Sequence, residues 1–214
     1  MDADIEFLTA RLGHTLGAGD ARLTVAGLWQ QLLRLLARGE PVAIEALASA
    51  TGHSAEQVRN ELAARPDTEY DAAGRIIGYG ITLNPTPHRF EVDGHPLYTW
   101  CALDTLMFPA VIDRPARVTS PCRATGQPVS VGVEPDRITG LDPAGAVVSI
   151  VAPEQCSSVR SDFCDEVHFF ASRHAAAPWL DDRPEATVVE VAEAFTLGRR
   201  LAASLTAPPG DSCC

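Results

Sequence analysis

Two residues of one short apolar segment have the types and the spacing that proton-transfer chemistry needs. Cys101 and Asp104 stand three positions apart in Trp-Cys-Ala-Leu-Asp-Thr-Leu-Met-Phe, and on a helix such side chains share one face. Ionising a carboxyl group in apolar surroundings is costly, so we expect a raised pKa for Asp104. A neutral carboxylic acid beside a thiol can exchange a proton with it. The spacing alone also fits a surface Asp beside a core Cys, and both interpretations stay open at this point.

A second thiol, Cys164, stands four residues before a histidine, His168. Its neighbours in Ser-Asp-Phe-Cys-Asp-Glu are carboxylates, which would raise the pKa of the thiol and oppose a simple activated nucleophile. Cys164 and His168 could be metal ligands. Because Val precedes His168 and two Phe follow it, we favour a packed, hydrogen-bonded core histidine. The chain contains no Cys-x-x-Cys pair, so the sequence does not support a zinc ribbon or a thioredoxin-type site.

The second part of the chain predicts an α+β domain in which short antiparallel strands have flanking helices. We expect a helix of two turns over Trp100–Phe108, ended by the proline that follows it. Several strand-like segments separated by Pro and Gly turns come next, and a final helix is expected over Thr187–Ala203. We assign residues 81–206 to this domain and residues 207–214 to a flexible tail.

Residues 1–80 predict a winged-helix-like helical module. An amphipathic helix over 24–37 and a second helix over 43–50 precede a turn, and Ser54 is a candidate N-cap of a third helix. An apolar strand is expected over Ile76–Leu83. Helix, helix, turn, helix and hairpin is the order of a winged helix-turn-helix. The same order serves DNA-binding domains and protein-packing modules.

The charge of the chain argues against nucleic-acid and membrane partners. The net charge is −11, and residues 1–80 alone carry eleven acidic and seven arginine residues, a net of −4. The third predicted helix, which would read DNA, carries Glu56 and Glu61 beside Arg59, whereas DNA binding depends on cations that neutralise phosphates. No apolar run reaches the ~18 residues of a membrane span, and the N-terminus is acidic where a secretory signal is basic. We therefore expect a cytoplasmic protein.

A series of specific strings runs through the second part of the chain. They are Trp-Cys-Ala-Leu-Asp-Thr at 100–105, Cys-Arg-Ala-Thr-Gly-Gln-Pro-Val-Ser at 122–130, Phe-Cys at 163–164 and Val-His-Phe-Phe at 167–170. In these strings the chain closely resembles the alkylmercury lyases, the organomercurial lyases of mercury-resistance operons. The resemblance covers about residues 20–200.

The resemblance implies a carbon–mercury lyase that acts by protonolysis, R–Hg⁺ + H⁺ → R–H + Hg²⁺. It places the two catalytic cysteines of the family on Cys101 and Cys164 and the catalytic aspartate on Asp104, and the same three groups would hold the Hg²⁺ product. The other recurrent cysteine of the family, thought to be structural, falls on Cys122. The resemblance implies no added cofactor. Low-molecular-weight thiols are expected to carry the product away, and a mercuric reductase is a candidate recipient.

Two other functions stay open from the sequence. A thiol- or metal-responsive winged-helix transcription regulator would place the N-terminal module on DNA and use the cysteines as a sensor. A mercury-binding protein would hold the metal without turnover. The regulator needs a basic reader helix, which this sequence does not predict, and turnover needs an acid, which Asp104 provides. We therefore favour the lyase.

The chain ends in two adjacent cysteines, Cys213 and Cys214, which the resemblance does not include. The Pro-Pro-Gly string before them favours an extended, exposed arm. Two adjacent thiols can chelate Hg²⁺ or hand it on, so one interpretation is a mercury relay between the catalytic cysteines and external thiols. The other interpretation is an inert terminus. Cys156 also lies outside the motif and has no assigned role.

Deleting residues 211–214 distinguishes these interpretations. If the tail is a relay, single-turnover cleavage of the carbon–mercury bond should stay unchanged, because the catalytic groups remain. Multiple turnover should slow when external thiol is limiting, because product release then loses its intermediate carrier. Hydrocarbon release is measured by gas chromatography across a thiol titration. Equal rates for the full-length and shortened chains at every thiol concentration would show an inert tail.

Overall fold

The structure is a computed structural model and describes residues 5–13, 27–153 and 158–206. The helices are α1 (5–13), α2 (Leu28–Leu36), α3 (Ile44–Thr51), α4 (Ala55–Ala63), α5 (Ala102–Ile112), α6 (Val159–Asp162), α7 (Arg173–Asp181) and α8 (Val191–Thr206), with a 3₁₀ helix at Cys164–Glu166. The strands are β1 (Glu69–Tyr70), β2 (Ile76–Tyr79), β3 (Ile81–Thr82), β4 (His88–Val92), β5 (His95–Thr99), β6 (Ala116–Pro121), β7 (Pro128–Val133), β8 (Ile138–Asp142), β9 (Val147–Ile150), β10 (Phe169–Phe170) and β11 (Thr187–Glu190). The predicted start of α2 at 24–26 and the predicted tail lie outside the described residues.

The N-terminal helices and the first hairpin follow the predicted winged-helix order. Ser54 caps α4 as predicted, because its hydroxyl accepts a hydrogen bond from the N–H of Gln57 and its own N–H donates to the Gln57 side chain. This reciprocal pair satisfies two backbone donors at the start of the helix. Val42 and Ile76 exchange two backbone hydrogen bonds of 2.8 Å, which attach the hairpin to the segment before α3.

The apolar run predicted as one strand over Ile76–Leu83 is interrupted at Gly80, so this prediction is wrong. The backbone turns there at a φ of +83°, a conformation that glycine adopts without steric cost. Strands β2 and β3 pair antiparallel on either side of it, with Tyr79 opposite Ile81, and β3 pairs with β5. The turn at Gly80 therefore connects the N-terminal hairpin to the strands that follow.

An antiparallel sheet of eight strands extends through both parts of the chain. Its order is β1-β2-β3-β5-β4-β6-β7-β8. Strand β6 alternates buried and exposed residues, the pattern of a sheet that is covered on one face. A second sheet has the order β10-β9-β11, and its central strand β9 is buried along its whole length. These sheets and the helices around them confirm the predicted α+β class.

Helix α5 lies at the centre of the second part of the chain. Ten of its eleven residues are buried, as expected for a helix that has neighbours on every side. It packs against α8, α2 and the strands β4, β5 and β6. A Cβ atom built at Gly198 of α8 would lie 3.2 Å from the Cβ atom of Met107. The small residue at this position therefore lets α5 and α8 approach closely.

Two predicted helices have different limits in the structure. Helix α5 begins after Cys101 and continues past Pro109 to Ile112, because burial on all sides outweighs the hydrogen bond that proline cannot donate. The final helix was predicted over Thr187–Ala203. The first part of this range forms strand β11 instead, which pairs with β9, and the helix follows it as α8. The β-branched Thr-Val-Val run at the start of this range favours a strand.

Helix α4 occupies the reader position of the winged-helix order, and its charges are consistent with the predicted lack of DNA binding. The guanidinium of Arg59 donates to Glu45 at 2.8 Å, so this cation is already paired within the module. Glu56 lies in the first turn of the same helix. The lack of a nucleic-acid partner stays a prediction. Across the three described ranges, no helix has both the length and the apolar character that crossing a membrane requires.

Alanine substitutions at Gly80 and Gly94 separate backbone strain from steric conflict. Both glycines have a φ of +83°. A Cβ atom at Gly80 would lie 2.6 Å from Cζ of Phe108, whereas one at Gly94 would meet no atom within 4 Å. We expect Gly94→Ala to lower the free energy of unfolding by about 1–3 kcal/mol, the usual cost of this conformation. Gly80→Ala should cost roughly 1–3 kcal/mol more, because the buried Phe108 must move.

Chemical denaturation of the two variants measures the cost of backbone strain and the additional cost of the steric conflict. Gly94→Ala is the control for the backbone term, because it carries the same φ without the contact. Equal losses in the two variants would contradict the close approach of Gly80 to Phe108.

Candidate active site

Cys101 lies at the junction between β5 and α5. Its extended backbone makes it the N-cap of α5, and its Sγ accepts a hydrogen bond from the N–H of Asp104 at 3.4 Å. One residue earlier, the N–H of Trp100 donates to the carbonyl of Gly80 at 3.0 Å. The turn at Gly80 and the first turn of α5 therefore fix the position of this thiol.

Asp104 lies in the first turn of α5, surrounded by apolar residues of the same helix. The residue is 6% exposed. Burial raises the pKa of this carboxyl group to about 7, although hydrogen bonds with Cys101 and Cys164 oppose the shift. The predicted direction of the shift is confirmed, and the carboxyl group can hold or release a proton near neutral pH.

Cys164 is brought to the same place by the 3₁₀ helix that follows α6. The N–H of Ala102 donates to the carbonyl of Val167 at 3.0 Å, which ties this segment to the start of α5. The thiol of Cys164 donates to Oδ2 of Asp104 at 3.9 Å. One ligand atom from each of Cys101, Asp104 and Cys164 lies within 4.8 Å of the other two. The fold therefore brings together the three residues that the sequence singled out.

Both thiols resist ionisation in their surroundings. Burial raises the pKa of Cys101. A hydrogen bond with Cys101, followed by burial, raises the pKa of Cys164 well above its ordinary value. Asp165 adds a smaller electrostatic contribution, whereas Glu166 pairs with Arg183 at 2.8 Å. The expected influence of the flanking carboxylates is therefore limited, and contact between the two thiols and burial dominate.

A small cavity of about 60 Å³ borders two of the three groups. Asp104 and Cys164 contribute to its wall, whereas Cys101 is fully buried and lies outside the lining. The other lining residues are mostly apolar and come from α2, the Gly80 turn, α5, α6 and α8: Trp29, Tyr79, Gly80, Trp100, Leu103, Met107, Phe108, Val159, Phe163, Leu201 and Leu205. Water-excluding walls of this kind strengthen electrostatic interactions among the groups inside.

His168 is not part of this cluster. Among the described residues, the group that could hold a metal consists of Cys101, Asp104 and Cys164. The ring of His168 is half-buried and meets Trp179 edge-on, with centroids 6.2 Å apart. Burial lowers its pKa to about 4, so the ring is neutral near pH 7. These contacts support the packed histidine over the metal ligand.

Cys122 is buried at the end of β6, also outside the cluster. Its N–H donates to the carbonyl of Gln127 at 2.7 Å, and its carbonyl accepts from Gly126 at 2.8 Å. Burial alone would raise the pKa of this thiol, but hydrogen bonds from Thr125, Ala171 and Ala124 together lower it. This place in the β6–β7 turn is compatible with the structural role that the resemblance implies. The other three cysteines, at 156, 213 and 214, lie outside the described residues.

Known proteins match this chain along its whole length. The sequence profile of alkylmercury lyase matches residues 81–203, and that of the helix-turn-helix domain of alkylmercury lyase matches residues 7–80. The alkylmercury lyase of Streptomyces lividans is 54% identical over 100% of both chains. That of Staphylococcus epidermidis is 49% identical over 99% of this chain and 98% of its own.

The chain belongs to the alkylmercury lyase family. A solved structure described as the mercury-bound form of MerB2 has the same fold, with a TM-score of 0.70 at 22% identity over 94% of this chain and 98% of that one. Membership does not favour the transcription regulator considered above.

Beside the site of this alkylmercury lyase family member lies a polar network that the sequence did not predict. It is centred on Glu69, which accepts a hydrogen bond from the indole of Trp100 at 2.7 Å and pairs with Arg160. Glu69 lies 32 positions before Cys101 in the sequence. No local pattern signals a contact between residues so far apart, so only the folded chain reveals the network.

Asp104→Asn tests the buried acid through the pH dependence of stability. The pKa of Asp104 is about 7 in the folded protein and near 3.8 in an unperturbed chain, so the folded state retains a proton that the unfolded state releases. The stabilisation from this proton is complete below about pH 4 and is lost as the pH rises to about 7. As the pH rises over this range, we expect the free energy of unfolding of the wild-type protein to fall relative to that of Asp104→Asn. Denaturation at each pH measures this difference.

Asp71→Asn provides a control of opposite sign. Hydrogen bonds from Arg75, of which the one from its backbone N–H is the strongest, lower the pKa of Asp71. Its contribution to stability is therefore present above about pH 4 and is lost as the pH falls further. A difference between wild type and Asp104→Asn that stays constant across this range would contradict the raised pKa of Asp104.

Proposed function

We propose that this protein cleaves the carbon–mercury bond of organomercurials by protonolysis, with Cys101, Cys164 and Asp104 as its catalytic residues. The observation that carries the proposal is a buried carboxyl group with a pKa of about 7 in contact with two thiols. Family membership over the whole chain supports the same reaction. Mercury is a soft cation and prefers thiolate to the other side-chain ligands.

The first step is capture of R–Hg⁺ by one sulfur. Both thiols are protonated near neutral pH because their pKa values are raised, so capture requires a proton acceptor. The ionised form of Asp104 is that acceptor, because Oδ2 is already 3.9 Å from the sulfur of Cys164. The thiol proton passes to Asp104 as the sulfur–mercury bond forms. This transfer converts the carboxylate into the acid that the next step needs.

The second sulfur activates the bound organomercurial. When it also binds mercury, it adds electron density to the metal, which weakens the mercury–carbon bond and makes the carbon more basic. Asp104 protonates this carbon as the second sulfur–mercury bond forms, and the hydrocarbon leaves. In the same step the proton of the second thiol passes to Asp104 and replaces the one that Asp104 gives up. The two thiols thus lose two protons in total: one leaves on the hydrocarbon and one remains on Asp104, while Hg²⁺ stays bound to both sulfurs.

The cavity is suited to the organic group of the substrate. Its walls are mainly aromatic and aliphatic, as in most small-molecule sites, and they surround the edge of the site where Asp104 and Cys164 are accessible. An organic group bound in this cavity would place its mercury-bound carbon close to the carboxyl group. A proton donor must lie within hydrogen-bond reach of the atom that receives the proton.

We propose that the reaction uses no cofactor, because the two sulfurs and the acid account for every bond that forms or breaks. The product is a buried dithiolate complex of Hg²⁺, so its release requires other thiolates. Low-molecular-weight thiols that enter the cavity can exchange with the protein sulfurs one at a time. A mercuric reductase is the candidate recipient of the metal, and a cytoplasmic location stays a prediction.

Serine substitutions at three cysteines test the assignment. Cys101→Ser and Cys164→Ser should each abolish hydrocarbon release, because one remaining sulfur cannot both hold mercury and activate the carbon. Cys122→Ser is the matched control: it should lower stability through the β6–β7 turn and leave turnover measurable. Methane or benzene release by gas chromatography, with excess external thiol, measures all three. Near-normal rates in Cys101→Ser would overturn the mechanism with two thiolates.

Asp104→Ala completes the series. It should still bind the organomercurial through both cysteines, yet release hydrocarbon roughly 10²–10⁴-fold more slowly, the usual contribution of a positioned acid. Mercury bound per protein molecule separates loss of binding from loss of chemistry. A decrease in rate well under about tenfold would assign the proton to water or to another group.

A further inference from the structure

Glu69 of β1 is a half-buried carboxylate that joins separate parts of the chain beside the active site. Its side chain is 12% exposed. One oxygen accepts from Nε1 of Trp100 at 2.7 Å and pairs with Arg160. The other accepts from the hydroxyl of Thr82 at 2.7 Å and from the amide of Asn84 at 2.6 Å. The four donors come from three segments that are distant in sequence.

Two of these donors lie in the chain segments that carry Cys101 and Cys164. Trp100 is the residue before Cys101, and Arg160 lies in α6, four residues before Cys164. The guanidinium of Arg160 also lies over the indole ring of Trp100, 5.4 Å from its centroid, within the range of a cation–π interaction. Glu69 therefore holds together the two segments that carry the sulfurs.

The N-terminal module contacts α6 at a second point as well. Asp67 accepts hydrogen bonds from the hydroxyl of Ser158 at 2.7 Å and from the N–H of Arg160 at 3.4 Å. On the other side, the ring of Tyr79 meets Trp100 edge-on, with centroids 5.5 Å apart. The same module thus fixes both the position of α6 and the orientation of Trp100.

Glu69 is ionised and fully used as an acceptor. Burial alone would raise its pKa, but hydrogen bonds from Thr82, Trp100 and Asn84, together with the charge of Arg160, lower it. Removing this carboxylate would leave its donors without partners in a half-buried place, and such unpaired groups favour rearrangement. The segments most free to rearrange would be those of Trp100 and Arg160.

We propose that Glu69 is a positioning residue for carbon–mercury cleavage: through Trp100 and Arg160 it sets the relative placement of Cys101 and Cys164, so that both sulfurs can bind one mercury atom. This inference rests on the proposed function. It also gives the N-terminal module a task within the enzyme, because Glu69 belongs to that module and reaches the cavity through Trp100 without lining it itself.

Glu69→Ala, Glu69→Gln and the control Asp71→Asn test the proposal in the full-length protein. Asp71 lies two residues from Glu69 and also binds an arginine, Arg75, but its hydrogen bonds within the described residues stay in its own turn. Each protein is loaded with mercuric chloride, and dithiothreitol is titrated until half of the bound mercury is lost. Pre-positioned ligands hold a metal more tightly than loose ones, so retention reports the placement of the sulfurs without requiring turnover.

We expect Glu69→Ala to lose half of its mercury at a roughly 10- to 100-fold lower dithiothreitol concentration, and to cleave the substrate more slowly by a similar factor in single-turnover measurements. Glu69→Gln should be intermediate, because its oxygen still accepts from Trp100 but no longer neutralises Arg160. Asp71→Asn should match wild type in both measurements. A purely structural role would lower the melting temperature of the Glu69 variants without changing mercury retention in the folded protein.

Unchanged retention and unchanged cleavage in folded Glu69→Ala would overturn the proposal. If that variant does not fold, Glu69→Gln decides by the same criterion. Failure of the proposed function would look different: wild-type protein would release no hydrocarbon, while the mercury titration with mercuric chloride would still measure the effect of Glu69 on the two sulfurs.

Discussion

Burial of an ionisable carboxyl group beside two thiols is the constraint on which the rest of the structure depends. On the protein surface Asp104 would not destabilise the fold by burial, and its pKa would be near 4. Here it lies in the first turn of a helix that is covered by neighbours on every side. The helix α5 packs against strands β4, β5 and β6 and approaches α8 closely at Gly198, and these neighbours keep the helix buried. Burying this carboxyl group lowers the stability of the protein. The same burial raises its pKa to about 7, so the acid is half protonated at neutral pH.

The sequence predicted those parts of the site that depend on local spacing. Cys101 and Asp104 are three residues apart, so the first turn of one helix suffices to bring them together, and the apolar run around them implies burial. Cys164 is different, because it meets Asp104 across 60 positions. Periodicity cannot supply such a contact, and the resemblance to the family identified it instead. The network around Glu69 depends on tertiary contacts of the same kind and was found only in the folded chain.

The fold shows the same division between local and distant causes. The capping box at Ser54 and the helical order of the N-terminal module follow from neighbouring residues and are confirmed. The turn at Gly80 was missed because its flanks are as apolar as a continuous strand, and the conformation of one glycine decides the matter. Helix α7 was not predicted, since it contains Pro178. Strand β11 was taken for helix although its β-branched start favours a strand, and its pairing with β9 stabilises that state.

The continuous sheet has a consequence for the evolution and engineering of this protein. The two sequence profiles meet between residues 80 and 81, which is the point where β2 and β3 pair. A recombination event or a truncation at this point would leave β3 as an open sheet edge, with the buried side chains of Ile81 and Thr82 uncovered. Unpaired apolar edges invite pairing with other chains and aggregation. In the intact protein the corresponding edge is β1, a strand of two residues, which offers little to a second molecule. The N-terminal module thus protects the second part of the chain from self-association. The two parts are therefore expected to be inherited together.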